Sequence, residues 1–309
     1  MTQATPGLRL RALADRKHWG AGLVAAARRR GIGAQLVESA AEVEDGATAF
    51  WRLAQHQPYL SQDREQAEEL AGRGVTLIPD LRMLRHYEDK WAQAEAFADR
   101  FPETRLIGSA DEARAVLDAF PLPFISKGRH GSGSRNVRLV KDRAAAEAEI
   151  ALAFGPRGIP SALAPQRGYL IWQEFCDDNP HDYRAVVNGR AVMLLRRHNR
   201  KDRPMASGSG MVEPVNALAG EAAEVFEAAR AFFAAHAMTW NGIDMVRDRA
   251  GRWRVLETTI AWTLKSYHGC RYHGDPKGRF GDKQWEVLLD GIEEGLFQLR
   301  SPRHAGQVA

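Results

Sequence analysis

A glycine- and serine-rich segment follows Lys127, which the apolar pattern places at the end of a strand. The segment runs from Gly128 to Asn136 and reads GRHGSGSRN. Glycines let backbone N–H groups converge on phosphate oxygens, and an ammonium group on the adjoining strand adds a positive charge. The Walker and dinucleotide-binding patterns do not fit, because no Gly-Lys-Ser/Thr follows the glycines and a strand, not a helix, comes next. The pattern indicates a phosphate-binding loop, with a flexible connection between strands as the alternative.

Two carboxylates, Asp244 and Glu257, lie on a predicted hairpin, and Thr259 falls on the same strand face as Glu257. If the turn is centred just after Arg249, Asp244 faces Val255 and lies diagonal to Glu257, roughly 7–8 Å away by backbone position. One Mg²⁺ can bridge carboxylates at that reach, since it commonly takes one or two carboxylates together with substrate phosphates and water. The alternative is a solvated hairpin face. Against it, Glu257 interrupts an apolar run, and a half-buried carboxylate needs a partner.

Arginines accompany a third carboxylate in another predicted hairpin. Asp182 and Arg184 share one strand face, and Arg197 and Arg203 follow in the same region. A guanidinium group makes bidentate contacts that an ammonium group cannot, so these residues suggest a clamp for phosphate or for a substrate carboxylate. A structural Asp–Arg pair is the alternative.

Two other kinds of site need weighing. His268, Cys270 and His273 lie close enough in sequence to suggest Zn²⁺, with Cys176 as a distant fourth ligand, but the spacing matches no common zinc module. The basic run at 196–201 lacks interleaved aromatic residues, which favours a loop facing an anionic substrate over a nucleic-acid contact. We therefore expect no nucleic-acid partner.

The elements that must position these residues begin with an alternation of short apolar runs and helical patterns, which continues to about Leu84. This alternation of strand and helix patterns predicts a small parallel α/β unit, because parallel strands need helical crossovers. Apolar positions then recur at three and four from Tyr87 to Phe101, which predicts one helix that Pro102 ends, with Lys90 beside its buried stripe.

The middle of the chain carries several start and stop signals. Ser109 is placed to cap a helix that runs to Phe120, and Asp142 is placed to cap an Ala-rich helix. Strands at 122–127 and from Val137 should be antiparallel, with the glycine-rich segment between them. Another strand is predicted at 169–175, and Asn188-Gly189 predicts a tight hairpin turn. The remaining predicted elements are a helix at 221–237, a hairpin at 243–246 and 253–258, and a final helix at 282–299.

Composition limits the function classes. The chain has 309 residues, of which 44% are hydrophobic and 27% charged, and a net charge of +4. This is an ordinary balance for a globular protein, and the slight basic excess favours anionic ligands. No apolar run approaches the length of a membrane helix, and two cysteines with no leader-like start predict a reducing, cytoplasmic location.

Taken in order, these residues resemble an ATP-grasp protein. The motifs are Lys90, Lys127 with its glycine-rich loop, Gln173-Glu174-Phe175-Cys176, Asp182-Tyr183-Arg184, Asp244 and Glu257. Within that superfamily the chain most resembles the RimK-like and glutathione-synthetase-like carboxylate–amine ligases, from about Leu8 to Trp262. The resemblance implies an α/β class with α+β lobes and the ATP-grasp fold. It further implies a Rossmann-like pre-ATP-grasp domain at 1–84, a central lobe at 85–176 and a C-terminal lobe at 177–309.

The resemblance also implies roles for individual residues. Lys90 and Lys127 would contact the phosphates of ATP, and Arg184 and Arg197 would steady the γ-phosphate or an acyl phosphate. Thr259 departs from the pattern, because the family usually has Asn there as a metal ligand, and a hydroxyl group is a weaker substitute. The other implied roles are a lid over the phosphates (Gly131, Ser132, Gly133, Ser134), contacts to the nucleotide (Gln173, Glu174, Phe175, Cys176, Asp182), and Mg²⁺ or alternatively Mn²⁺ ligands (Asp244, Glu257, Thr259).

The implied reaction is ATP-dependent amide formation through an acyl phosphate, with a small-molecule or peptide carboxylate donor and an amine acceptor as partners. A phosphotransferase on the same fold is one alternative. A non-catalytic ATP-binding regulatory protein is another, which the absence of the metal-ligand Asn permits. The resemblance favours a dimer or tetramer.

Overall fold

The N-terminal part of the chain forms a four-stranded parallel sheet in the order β2-β1-β3-β4, which confirms the predicted parallel α/β unit. The computed structural model describes residues 9–15, 18–131, 136–160, 165–199, 211–262, 269–273 and 289. The elements here are β1 (Arg9–Leu13), α1 (Trp19–Arg29), β2 (Gly33–Val37), a 3₁₀ turn (Ala40–Glu42), β3 (Thr48–Phe50), α2 (Tyr59–Gly72), β4 (Thr76–Ile78) and α3 (Leu81–His86).

The central part forms a four-stranded antiparallel sheet in the order β5-β8-β6-β7. Both predicted helix caps are confirmed: Ser109 Oγ accepts a hydrogen bond from Glu112 N at 3.2 Å, and Asp142 Oδ1 accepts one from Ala145 N at 2.8 Å. The elements are α4 (Lys90–Ala96), β5 (Thr104–Ile107), α5 (Ala110–Ala119), β6 (Phe124–Lys127), β7 (Val137–Val140), α6 (Arg143–Ala153) and β8 (Leu170–Glu174).

Helix α4 is shorter than predicted and ends at Ala96. Phe97 and Phe101 are still buried, but they lie in the turns that follow, and Ala98 is exposed. The ring of Phe97 packs edge-on against Phe232 with centroids 5.3 Å apart. The apolar spacing therefore reflects burial of successive turns, which periodicity alone does not separate from a continuous helix.

The C-terminal part forms a five-stranded antiparallel sheet in the order β11-β10-β9-β12-β13. Gly189 lies at φ 66° in the predicted Asn188-Gly189 turn. Of the predicted final helix only Leu289 lies within the described residues, where it is helical and buried. The elements are β9 (His181–Asn188), β10 (Ala191–His198), β11 (Val212–Pro214), α7 (Glu221–Ala235), β12 (Trp240–Arg247) and β13 (Trp253–Thr259).

Within the described residues, the apolar interior is divided in two. One core joins the N-terminal sheet to the five-stranded sheet, and its aromatic side chains meet where Trp19, Trp240 and Trp262 pack with centroids 4.9–5.9 Å apart. A separate core lies inside the central part, where Phe124 and Trp172 pack at 4.5 Å. A cleft between these two bodies is where the site residues meet. Within the described part of the chain, no helix has the length and apolar character needed to cross a membrane.

Candidate functional site

An open cleft lies between the central antiparallel sheet and the five-stranded sheet, with about 780 Å³ of empty space when the solvent at its mouth is included. Most of the predicted site residues in the described part of the chain line it. These are the two lysines (Lys90, Lys127), the β8 segment (Gln173, Glu174, Phe175, Cys176), and the charged residues of the five-stranded sheet (Asp182, Arg197, Asp244, Glu257).

Lys127 is the last residue of β6, and its ammonium group reaches across the cleft to β13, where it donates to Leu256 O at 3.1 Å. The residue is only 8% exposed. Burial, reinforced by the nearby charge of Lys90, lowers the pKa of Lys127 from 10.5 to about 8. Lys127 therefore releases its proton nearer to neutral pH than an ordinary lysine, and an anion in the cleft would favour its charged form.

Lys90 is the first residue of α4 and is held by carbonyl and carboxylate oxygens. Its ammonium group donates to Gly131 O at 2.7 Å and lies 3.2 Å from Glu257 Oε1. Burial alone would lower the pKa of Lys90, but the charges of Glu257 and Glu88 outweigh it and raise the pKa. Lys90 therefore stays protonated and ties the glycine-rich loop to the acidic strand β13.

The start of the glycine-rich loop is fixed to the N-terminal end of α4. Arg129 makes a bidentate ion pair with Asp89 at 2.8–3.0 Å, and Arg129 O accepts a hydrogen bond from Lys90 N at 2.9 Å. Gly131 adopts φ 118°, and a Cβ there would lie 2.8 Å from Asn136 Nδ2, so only glycine fits. The lid residues Ser132, Gly133 and Ser134 lie outside the described residues.

The register of the acidic hairpin differs from the prediction. Met245 pairs with Val255, and a bulge in the ladder takes up Leu256, so that Asp244 pairs directly with Glu257. The predicted placement of Asp244 opposite Val255 was wrong for two reasons. The turn is one residue longer, since Asp248 N bonds to the carbonyl of residue 252 at 2.9 Å, and a bulge leaves no signature in the alternation of apolar residues.

Asp244 holds two guanidinium groups. Arg184 forms a bidentate pair with it at 2.6 and 2.8 Å, and Arg197 Nη2 lies 2.7 Å from Asp244 Oδ2. Arg197 also makes a bidentate pair with Asp182 at 2.6 and 2.7 Å. Burial tends to raise the pKa of Asp244, but the two arginines hold it far below its usual value. Burial dominates at Asp182 and raises its pKa despite Arg197. Asp244 is thus a fully ionised carboxylate at the centre of the cluster.

Comparisons with known proteins support one fold. No protein-family model matches the chain. The phosphoribosylamine–glycine ligase of Phenylobacterium zucineum (strain HLK1) is 26% identical over 257 residues, which are 77% of this chain and 55% of that protein, so the chain spans about half the length of this curated relative. A RimK domain ATP-grasp protein from Sphaerobacter thermophilus DSM 20745 aligns with a TM-score of 0.59 at 18% identity, over 92% of this chain and 99% of the other. The chain has the ATP-grasp fold. The D-cycloserine synthetase DcsG gives a TM-score of 0.63 at 16% identity, over the same shares of the two chains.

Two carboxylates of this ATP-grasp cleft suit a hard divalent cation. Asp244 and Glu257 face the cleft from paired strand positions, and Mg²⁺ binds through one or two carboxylates together with phosphates and water. Thr259 does not line the cleft. Its hydroxyl group donates to Ala261 O at 3.0 Å and accepts from Ala261 N at 3.2 Å. The fit therefore rests on two protein ligands, and Thr259 as a third stays a prediction.

The described residues provide no zinc site. No group of three or more His, Cys, Asp or Glu side chains within them is arranged to hold a metal ion. His273 Nε2 lies 2.7 Å from Val215 O, and Cys176 lines the ATP-grasp cleft. His268 lies outside the described residues.

Sequence reasoning missed several residues that line the ATP-grasp cleft. The apolar members could have been found, since Ile125 lies two residues before Lys127 on β6 and therefore on the same strand face. Among the polar members, Asn179 lies in the loop before β9, His181 is the first residue of β9, and Asn199 directly follows β10, so alternation along a strand gives little signal for them. The missed residues are Ile125, Val137, Val246 and Leu256 among the apolar ones, and Asn179, His181 and Asn199 among the polar ones.

Proposed function

We propose that this protein is an ATP-dependent carboxylate–amine ligase that binds Mg·ATP between its central and C-terminal sheets. The observation that carries the proposal is the convergence of Lys90, Lys127, Arg197, Asp244 and Glu257 on one cleft. The resemblance to phosphoribosylamine–glycine ligase and to D-cycloserine synthetase adds support for C–N bond formation.

In the proposed reaction the γ-phosphoryl group of ATP passes to a substrate carboxylate, which creates an acyl phosphate with a good leaving group. An amine then attacks the acyl carbon, the C–N bond forms, the C–O bond to phosphate breaks, and the amine proton leaves to solvent. Lys127 and Arg197 meet the charge of the phosphates, and Lys90 holds the glycine-rich loop over them. Exclusion of water by that loop protects the acyl phosphate from hydrolysis.

Asp244 and Glu257 would hold Mg²⁺. When bound, this ion neutralises phosphate charge and orients the oxygens of the transferred group. Arg184 and Arg197 already neutralise Asp244 in the free protein, and Lys90 neutralises Glu257. These ion pairs hold both carboxylates at the cleft. The donor carboxylate and the amine acceptor belong to small molecules or peptides in this proposal.

The experiment is a measurement of ADP release from ATP and Mg²⁺ across pools of carboxylates and amines, with hydroxylamine added to trap acyl phosphate as hydroxamate. We expect Lys127→Ala and Glu257→Ala to abolish turnover while the fold is kept, because both side chains line the cleft that would hold the phosphates. Lys141→Ala and Glu227→Ala, which change exposed residues, are the matched controls and should behave like wild type. Wild-type turnover in either cleft variant would refute the assigned roles.

A second candidate is a nucleotide-binding protein without catalysis. The orientation of the Thr259 hydroxyl group towards Ala261, away from the cleft, favours it, since a third metal ligand is then missing. Binding of Mg·ATP without ADP release from any substrate pool would support this candidate. A phosphorylated product without an amide would identify a phosphotransferase instead.

A further inference from the structure

The strand that carries Glu257 lies at the edge of its sheet, because β13 pairs only with β12 within the described sheet. An edge strand leaves backbone N–H and C=O groups without ladder partners on its outer side. Thr258 is only 4% exposed, so its outward groups cannot be satisfied by water. Something other than a strand must therefore pair with Thr258.

The side chain of Gln93 takes the place of the missing strand. Its amide group accepts a hydrogen bond from Thr258 N at 2.9 Å through Oε1 and donates one to Thr258 O at 3.1 Å through Nε2. Nε2 also donates to His86 O at 2.8 Å. Gln93 has no exposed surface. A primary amide offers both a donor and an acceptor, as a peptide group does, so Gln93 completes the edge of the described sheet at Thr258.

Consecutive residues of β13 are in this way held by three side chains. Lys127 binds the carbonyl of Leu256, Lys90 binds the carboxylate of Glu257, and Gln93 binds the backbone of Thr258. Of these, Lys127 is the cation that the proposed function assigns to the phosphates, and Lys90 is the cation that holds the glycine-rich loop. Gln93 is the neutral member, and its contacts do not depend on what occupies the cleft.

The anchor of α4 on the opposite side does not involve Gln93. Lys90 N bonds to Arg129 O, Lys90 Nζ bonds to Gly131 O, and Asp89 pairs with Arg129. Loss of the Gln93 amide would therefore remove the contact of α4 with the backbone of β13 at Thr258, while Lys90 keeps its ion pair with Glu257 and the glycine-rich loop keeps its anchors. Loss of the Gln93 amide should therefore weaken Mg²⁺ binding at Glu257 more than it weakens phosphate binding at the glycine-rich loop.

We propose that Gln93 is a positioning residue that fixes Glu257 for Mg²⁺ by completing the edge of β13 against α4. This inference rests on the proposed function, since it needs Glu257 to hold the metal of a bound nucleotide. Outer partners of metal ligands commonly change metal affinity by tenfold or more when they are removed.

The experiment compares Gln93→Met with wild type by calorimetric titration with ADP, once in EDTA and once over a range of Mg²⁺ concentrations. Methionine has similar length and volume but lacks both hydrogen bonds. We expect the Mg²⁺ concentration that half-saturates the effect on ADP binding to rise about tenfold. The affinity for metal-free ADP should change less than about twofold, because Lys90 keeps its anchors.

Asn216→Leu is the matched control. Its amide clamps the backbone in the same way, accepting from Arg271 N at 2.7 Å and donating to Gly269 O at 3.1 Å, but it does not line the cleft. It should lower the thermal midpoint without changing the Mg²⁺ requirement. If Gln93→Met does not fold, Gln93→Glu is the second variant, since it keeps the acceptor for Thr258 N and lacks the two N–H donors of the amide. The same tenfold rise in the half-saturating Mg²⁺ concentration is expected.

Three results would overturn the inference. An unchanged Mg²⁺ requirement in the folded Gln93 variant would show that Glu257 does not depend on this contact. Equal losses of ADP affinity with and without Mg²⁺ would assign Gln93 a merely structural role. Wild-type protein that binds no ADP under either condition would refute the proposed function itself, which separates that failure from the other two.

Discussion

Raising the pH from 7 to 9 should weaken nucleotide binding through Lys127 alone. Burial and the neighbouring charge of Lys90 lower the pKa of this residue to about 8. About nine-tenths of the free molecules therefore carry a charged Lys127 at pH 7 and about one-tenth at pH 9. If the ammonium group must be charged to hold phosphate, the dissociation constant of metal-free ADP rises about tenfold over this range.

The lowered pKa of Lys127 also determines how the free energy of unfolding changes with pH. The unfolded chain holds the Lys127 proton up to about pH 10.5, but the folded chain releases it from about pH 8. Between these values the unfolded state binds more protons, so the free energy of unfolding rises with pH across that window and is lowest below it. Each pKa unit is worth about 1.4 kcal/mol, which gives a contribution of about 3 kcal/mol in total.

Calorimetry of ADP binding in EDTA, run near pH 8 in two buffers of different ionisation enthalpy, measures the proton uptake. We expect about half a proton to be taken up, because half of the free molecules carry a neutral Lys127 that becomes charged on binding. The terminal phosphate of ADP is already largely ionised there. Lys127→Met should bind weakly with no uptake in this range. No uptake by wild-type protein, or an affinity that does not change between pH 7 and 9, would refute the reasoning.

Two further predictions concern Asp244 and Cys176. Asp244→Asn should lower the free energy of unfolding, measured by urea denaturation, by about 3 kcal/mol, because it removes the charge that Arg184 and Arg197 share inside the cleft. The same variant should need a higher Mg²⁺ concentration for ADP binding. Asp118→Asn on the exposed face of α5 is the control, and equal stability of the two variants would contradict the prediction. Burial raises the pKa of Cys176 to about 12, so iodoacetamide should label it slowly at pH 7 and more slowly still with bound ADP, as mass spectrometry can measure. Rapid labelling that ADP does not slow would argue against its place in the cleft.

Local chemistry made much of the fold predictable. The caps at Ser109 and Asp142 and the Asn188-Gly189 turn are determined by hydrogen bonds and backbone angles within a few residues, and the structure has all three. Most of the predicted site residues also meet in one cleft. Charged residues at strand ends, next to apolar runs, are a strong signal of a binding site, because a charged group that is partly buried needs a ligand or another charged group as its partner.

Contacts between residues that are far apart in sequence could not be predicted from the sequence. The bulge at Leu256 brings Asp244 opposite Glu257, and this shift in register depends on the pairing of β13 with β12, not on the local sequence pattern. The two arginines on Asp244 come from β9 and β10, whose order in the sheet is a property of the whole fold. Gln93 lies on the buried stripe of a short helix, and nothing in its neighbours indicates that it pairs with a strand more than 160 residues away.

The division of the interior into two cores affects the order in which the chain can fold during synthesis. The N-terminal sheet shares its core with strands that begin at His181, and the side chains of Trp19 and Phe50 are covered by Trp240. The first sheet therefore leaves the ribosome long before the residues that bury it, whereas the central part carries a complete core of its own. We infer that the middle of the molecule matures first and that the two ends then close around it as one unit. The first sheet must keep its exposed apolar face from aggregating until β12 has been made.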